Sequence, residues 1–189
     1  MLGLFDRDKH KSVYWKASDS GGIGWYTGPR DRNKLPNGEG NFNNSKYEYR
    51  GRYRHGERHG RGTETVWKKE GYAMIIEGIW RRDKPVEGTI EYEDGRQFRG
   101  KFQNGDPCQG VLKLADGSVY KGKFSNHGYS KGVLTFANGD KLDGDYFLAA
   151  TSGFTQTLLG IVTYKNGDSY RGEWQNGLPH GLGVYVMKE

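Results

Sequence analysis

The chain has 189 residues, of which 33% are hydrophobic and 14% aromatic, and its formal net charge is +6. This aliphatic content is too small for a thick core, and no apolar run is long enough to span a bilayer. No signal-peptide pattern stands at the N-terminus. The single cysteine, Cys108, excludes an internal disulfide framework and favours a reducing compartment.

Residues 1–23 precede the repeated part of the chain and contain Val13-Tyr14-Trp15. We expect them to form a cap, either irregular or with an extra strand, over the first hairpin. From residue 24 to residue 189 a phrase recurs, as in Tyr49-Arg50-Gly51-Arg52-Tyr53. Recurrence at this spacing indicates a repeat array in one unit. The central glycines of its copies are Gly28, Gly51, Gly78, Gly100, Gly122, Gly144 and Gly172.

Each copy of the phrase has the period of a β-strand. An aromatic residue, a glycine and a second aromatic residue stand at i, i+2 and i+4, which places all three on one face. A second segment with the same period follows, as in Gly181-Leu182-Gly183-Val184-Tyr185. Dipeptides such as Asn104-Gly105 and Asp116-Gly117 separate the segments and accept the positive φ of tight turns. Each copy therefore predicts one hairpin.

The predicted fold is all-β: an elongated, single-layer, twisted antiparallel meander of about seven consecutive hairpins. A glycine between two aromatic residues leaves a slot in which a neighbouring ring can lie against backbone. Stacked rings would then form a thin apolar stripe without a second layer. Two copies are stretched: Lys68-Lys69-Glu70-Gly71 predicts a longer turn, and residues 148–155 predict a loop.

These elements together resemble the MORN (membrane occupation and recognition nexus) repeat family, over roughly residues 24–186. The resemblance implies a hairpin array that serves as a scaffold, commonly at cytoskeletal, ciliary or membrane-associated assemblies in eukaryotes. Repeats of this family also occur fused to enzymes such as lipid kinases and methyltransferases. The chain departs from the family pattern where the first glycine of the Gly-x-Gly pair is replaced by Val86, Cys108, Ser130 or Leu158.

No catalytic constellation survives the repeat pattern. His55 and His127 stand in hairpin turns, and His59 and His180 precede a Gly-x-Gly pair, where the family itself often has histidine. Metal binding needs three or four side chains that converge on one point, and turn residues of separate repeats do not. The sequence therefore predicts no enzyme activity, no cofactor and no metal site.

Basic residues concentrate between Lys46 and Lys69, where eight of them stand against three glutamates. Strand alternation places several of these arginines on the face opposite the aromatic residues. The cluster predicts an anion site suited to phosphoinositide or phosphatidate headgroups. A solvated face kept soluble by its charge is the equal alternative. The predicted anion patch comprises Arg50, Arg52, Arg54, Arg58, Arg61, Lys68 and Lys69.

The same face carries aliphatic residues after the Gly-x-Gly pairs. An aliphatic stripe on a single-layer sheet is either covered or partly exposed, so we expect a shallow groove that takes a partner helix or strand. The ordinary preference of strands for β-branched residues is the alternative explanation. The predicted groove comprises Ile79, Val111, Val133, Ile161 and Val184, with Lys121, Lys123, Asp143 and Asp145 at its rim.

These observations predict a non-enzymatic adaptor that docks a protein segment within a larger assembly. The alternatives are an anionic-lipid surface module and a regulatory segment of an enzyme complex. End-to-end self-association through an open strand edge is a further expectation. Nucleic acid is not expected, because the aromatic residues are committed to the stack. The expected location is the cytoplasm, at the cytoskeleton, a cilium or the cytosolic face of a membrane.

Overall fold

The computed structural model describes residues 12–16, 22–125, 128–148, 155–175 and 178–189. In these ranges all the regular secondary structure is β-strand, and 15 strands pair in chain order in one open antiparallel sheet. This confirms the predicted all-β hairpin meander. The chain forms two compact units: Met1–Glu93 with Phe102–Asp106, and Asp94–Lys101 with Pro107–Glu189.

The first described strand of the first unit lies within residues 1–23, the segment predicted to form a cap. Within that segment Trp15 pairs with Gly24 and Val13 with Tyr26, whereas residues 1–11 and 17–21 lie outside the described part. The strands of the unit are β1 (Val13–Lys16), β2 (Ile23–Thr27), β3 (Gly38–Asn43), β4 (Tyr47–Arg54), β5 (Glu57–Lys68), β6 (Gly71–Arg81) and β7 (Lys84–Tyr92).

The predicted longer turn between β5 and β6 is wrong. Only Lys69 and Glu70 separate the two strands, and Trp67 pairs with Tyr72 across them. The extra residues of this copy carry β-branched and aromatic side chains, which favour strand over turn. The insertion therefore lengthens the ladder instead of the turn.

The second unit continues the same pattern. Its strands are β8 (Gln97–Gln103, of which residues 97–101 belong to this unit), β9 (Asp106–Lys113, of which residues 107–113 belong to this unit), β10 (Val119–Ser125), β11 (Gly128–Thr135), β12 (Lys141–Leu148), β13 (Thr155–Thr163), β14 (Ser169–Gln175) and β15 (Leu178–Val186). Leu148 ends β12 and Thr155 begins β13, while residues 149–154 of the predicted loop lie outside the described residues.

The turns take the conformations that their residues favour. Within a hairpin, Asn104 and Gly105 both have positive φ, 57° and 102°. Between hairpins, Gly117 has a φ of 88° and its amide donates to the carbonyl of Leu114 at 3.1 Å. Asx and glycine residues reach this backbone region at low cost, so the turn dipeptides set where each strand ends.

A line of glycines crosses the strands of each unit. The register pairs glycine with glycine on consecutive strands, so backbones approach where no side chain intervenes. In the first unit the line is Gly40, Gly51, Gly62, Gly78 and Gly88. In the second it is Gly110, Gly122, Gly132, Gly144, Gly160, Gly172 and Gly183.

Aromatic rings lie directly against this line. A Cβ atom on Gly132 would meet the Tyr120 hydroxyl at 2.8 Å and the Cα of Gly122 at 2.7 Å. Phe98 stands in the same way over Gly110, at 2.8 Å. The ring of residue i thus covers the glycine at i+2 and the glycine opposite it. The slot inferred from the sequence is present.

The rings also pack on one another, edge to face. Tyr49 contacts Tyr53 and Trp80 with centroid distances of 5.2 Å and interplanar angles of 85° and 78°. Such tilted pairs are favourable beyond the area they bury. The three side chains are only 0–4% exposed although they belong to a single sheet. The rings therefore bury one another.

Tyrosine hydroxyls fasten the ring to its own strand. Tyr120 donates to the carbonyl of Lys123 at 2.7 Å and Tyr26 to that of Pro29 at 2.9 Å, three residues ahead in both cases. Burial raises the pKa of Tyr26 to about 12, so the hydroxyl stays a donor at physiological pH. Where the ring is Phe98, the thiol of Cys108 donates to the corresponding carbonyl, that of Lys101, at 3.4 Å.

Replacing Tyr120 by Phe removes the hydroxyl and keeps the ring. We expect this substitution to lower the free energy of unfolding by about 1 kcal/mol, since the carbonyl of Lys123 loses a buried donor. Denaturant unfolding checks the value. Tyr185→Phe is the control, because that hydroxyl donates to a carboxylate at the surface, and it should cost clearly less than Tyr120→Phe. Equal losses in the two variants would contradict this role, because the buried hydroxyl contact would then contribute no more than the exposed one.

Candidate interaction surface

The two faces of the sheet differ in what a partner can reach. Along β8, Phe98 and Phe102 are 2% and 7% exposed, whereas Arg99 and Lys101, which lie between them in the sequence, are exposed. We call the side with the rings the aromatic face and the other side the polar face. Because the rings bury one another, the polar face is the surface that a partner can contact without disturbing the fold.

Four of the predicted groove residues share one row on the polar face, but they are not adjacent. A charged residue of the intervening strand separates each from the next. The row, which we call the mixed row, runs Val111, Lys121, Val133, Asp143, Ile161, Arg171 and Val184. Consecutive aliphatic residues are two strand spacings, about 10 Å, apart. Lys121 and Asp143, which we expected at the rim of the groove, therefore stand between its aliphatic residues, because the strands that begin each hairpin contribute charges.

Exposure along the mixed row is partial. Val111 is 37% exposed, Ile161 43% and Val184 62%, while Val133 is half-buried. Aliphatic stems of neighbouring Lys121 and Arg171 can cover part of these side chains while their charges remain in water. The mixed row therefore offers isolated apolar contacts framed by charges of both signs.

Other predicted groove residues lie elsewhere. Ile79 belongs to the first unit, where it stands between Arg61 and Glu87 in the register. It is therefore not part of the mixed row. Lys123 is exposed opposite Gln109. The side chain of Asp145 lies outside the described part of the structure.

The predicted anion patch is largely balanced by acidic neighbours. Arg50 Nε lies 2.8 Å from Glu48, and Arg52 Nε lies 3.5 Å from Glu39. Lys68 pairs with Glu93. The remaining exposed members are Arg54, Arg61 and Lys69. Glu48 of the same strand, Glu39 of the adjacent strand and Glu93 after β7 thus offset charges that appear as a basic run in the sequence.

Arg58 does not belong to that patch. Its guanidinium donates to Glu64 at 2.7 Å and lies 3.5 Å from Asp83, and the three side chains are only 10–14% exposed. The guanidinium also lies 4.5 Å from the Trp80 ring centroid, a cation–π contact on the aromatic face. Arg58 was misplaced because the β4–β5 pairing shifts register after Gly51, which alternation alone does not show.

Burial shapes the protonation of this cluster. Desolvation raises the pKa of Glu64, against the opposing effect of Arg58. Burial alone would lower the pKa of Arg58, but the carboxylates of Glu64 and Asp83 outweigh it and raise that pKa. Because folded Glu64 binds its proton more tightly than unfolded Glu64, its ionisation weakens the fold as pH rises through the folded pKa. The contact with Arg58 offsets part of that cost.

A histidine–aspartate pair connects a loop to a turn. His55 Nδ1 lies 3.1 Å from Asp31, and the amides of Asn33 and Leu35 donate to the same carboxylate. These hydrogen bonds, first that of His55, lower the pKa of Asp31. The pair joins the loop after β2 to the β4–β5 turn. Within the described ranges, no group of three or more His, Cys, Asp or Glu residues could hold a metal ion.

Segments that contain the glycine line and its rings match a known repeat. Residues 49–65, 130–141 and 170–188 match the family model of the MORN repeat. In these three segments the chain resembles the MORN repeat. The first and last of these segments include the paired glycines Gly51 and Gly62, and Gly172 and Gly183. No curated protein matches the chain. Of the residues described, none lies in a helix long and apolar enough to cross a membrane.

One group of basic residues in the repeat array does not stand out in the sequence. Strands β8 to β11 present six exposed lysines and arginines on the polar face, spread over 33 positions of the chain. They are Arg99, Lys101, Lys113, Lys121, Lys123 and Lys131. A charge count along the chain does not find them, because turn acids and aromatic-face residues separate them. A count of charges at polar-face positions alone, with the hairpins aligned on their glycines, would have found them.

A double-mutant cycle tests the buried ion pair. We expect a coupling free energy of about 1–3 kcal/mol between Arg58→Ala and Glu64→Ala, since the pair is shielded from solvent. The more exposed pair of Arg50 and Glu48 on the polar face is the control, with an expected coupling of about 0.2–1 kcal/mol. Denaturant unfolding of the single and double variants gives both values. A coupling no larger for Arg58 and Glu64 than for the control would contradict the structural role.

Proposed function

We propose that this chain is a non-enzymatic scaffold that binds a segment of a partner protein across the polar face of its MORN repeats, within a larger assembly. MORN repeats are in general protein- and membrane-interaction modules. The proposed setting is a cytoskeletal, ciliary or membrane-associated assembly in the cytoplasm of a eukaryotic cell. A reducing compartment suits the one cysteine of the chain.

The mixed row is the observation that carries this proposal. Partial exposure of Val111, Ile161 and Val184 provides apolar contacts at intervals of about 10 Å. Lys121, Asp143 and Arg171 stand between them with signs plus, minus and plus. Apolar contacts supply affinity, and charges that alternate in sign select a complementary partner and set its register.

The direction of the mixed row restricts how a partner binds. It runs across the strands, so a polypeptide that follows it crosses several hairpins instead of extending one strand ladder. A helix advances about 10 Å in seven residues, which matches the spacing of the aliphatic residues. We therefore favour a helix laid across the polar face over a strand added at an edge. Its charges would run minus, plus and minus.

Affinity capture with matched variants tests the proposed function. Val133→Asp with Ile161→Asp places carboxylates in the mixed row, and we expect at least a tenfold loss of co-purifying proteins. Thr135→Asp with Thr163→Asp is the control. It also introduces two aspartates on the same strands and face, two residues along each strand from the mixed row. Quantitative mass spectrometry compares the captured proteins, and thermal unfolding verifies that both variants fold. Equal capture by the two variants would rule out the mixed row as the binding surface.

A further inference from the structure

We propose that strands β8 to β11 form a second binding site, specific for an acidic polypeptide segment. The site is the basic patch of Arg99, Lys101, Lys113, Lys121, Lys123 and Lys131. It rests on the proposed function, because it names the chemistry of the partner region that lies against this part of the polar face.

The pairing register gathers these side chains into a compact area. Lys121 lies between Val111 and Val133, and Lys123 follows two residues along the same strand, about 7 Å away. Lys113 pairs with Val119, two residues before Lys121. From β8 to β11 the patch spans three strand spacings, about 14 Å. An extended segment of about four to six residues has this length.

The parts of these four strands that belong to the second unit, residues 97–101, 107–113, 119–125 and 128–135, contain no acidic residue. Besides the six basic residues, the polar face of these strand segments carries uncharged residues, among them Gln97, Gln109, Val111, Val119, Ser125, Val133 and Thr135. Asp106 begins β9 and belongs to the first unit, and Asp116 lies in a turn, where its carboxylate accepts a hydrogen bond from the amide of Ser118. Within this unit, the next strand after β11 is β12, where Asp143 pairs with Val133 and Asp145 with Lys131.

This patch differs from the arginine cluster of the first unit. There Arg50 and Arg52 have glutamate partners at 2.8 and 3.5 Å. Here six like charges stand together, exposed to solvent, on strand segments that contain no acidic residue, so an anion that arrives interacts with several of them at once. Clustered charges of one sign raise the rate and the selectivity of binding to the opposite sign.

Three features favour a narrow polypeptide over other polyanions. A planar membrane surface that contacts the polar face broadly would also press against Asp143 and Glu173, both exposed there. Single-stranded nucleic acid needs aromatic platforms, and the rings of these strands lie on the aromatic face. Val111 and Val133 beside Lys121 suit a chain that mixes acidic and aliphatic residues.

Fluorescence anisotropy with a labelled hexaglutamate peptide and the full chain tests the site. We expect binding that weakens steeply between 50 and 300 mM salt, since exposed charges are screened over about 8–10 Å. Lys121→Gln, Lys123→Gln and Lys131→Gln together should weaken binding about tenfold or more. The control replaces Lys141, Lys165 and Lys188 by Gln, which removes the same charge from the unit outside the patch, and should change affinity less than about threefold.

Each alternative outcome overturns the proposal. Equal loss in the two triple variants would mean that net charge alone attracts the peptide. Patch-dependent binding to phosphatidylserine vesicles without binding to hexaglutamate would assign the site to a membrane surface. Tighter binding of a thymidine hexanucleotide would assign it to nucleic acid. Failure to bind hexaglutamate, with capture still lost in the Val133 and Ile161 variant, would remove this site and leave the proposed function standing.

Discussion

The contact between aromatic rings and a line of glycines is the constraint on which the rest of this structure depends. A single sheet normally needs a second layer to bury one face. Here paired glycines, such as Gly122 and Gly132, remove side chains from the middle of the aromatic face. The ring of Tyr120 fills the space, and its hydroxyl bonds the carbonyl of Lys123. One layer thereby becomes self-sufficient.

This arrangement separates stability from recognition. The aromatic face is committed to packing, as the near-complete burial of Tyr49, Trp80 and Tyr120 shows. Polar-face residues contribute little to that packing, so they can vary in charge and size without loss of the fold. In the second unit this freedom yields the mixed row and the basic patch, which share Lys121. Binding along this face would leave the rings undisturbed.

Local rules in the sequence were sufficient to predict the hairpins. The period-two phrase around Gly122 and the Asn-Gly and Asp-Gly turns indicate strands, turns and facing on their own. Properties that depend on register across strands were harder to predict. The charged residues between Val111, Val133 and Ile161 became visible only when the strands were paired. Arg58 was misplaced for a related reason: the shift after Gly51 moves it to the aromatic face beside Glu64.

Insertion of a single methyl group into the glycine line tests the central claim most directly. A Cβ atom on Gly122 would meet the Cα of Gly132 at 2.7 Å, as well as the hydroxyl oxygen of Tyr120 and the carbonyl oxygen of Lys131. Gly122→Ala should therefore lower the free energy of unfolding by about 1–3 kcal/mol, although alanine ordinarily stabilises a strand relative to glycine by about 0.5–1 kcal/mol. Calorimetric or denaturant unfolding decides the sign. A variant as stable as the wild type, or more stable, would contradict the account, because the rings would then not need the glycines.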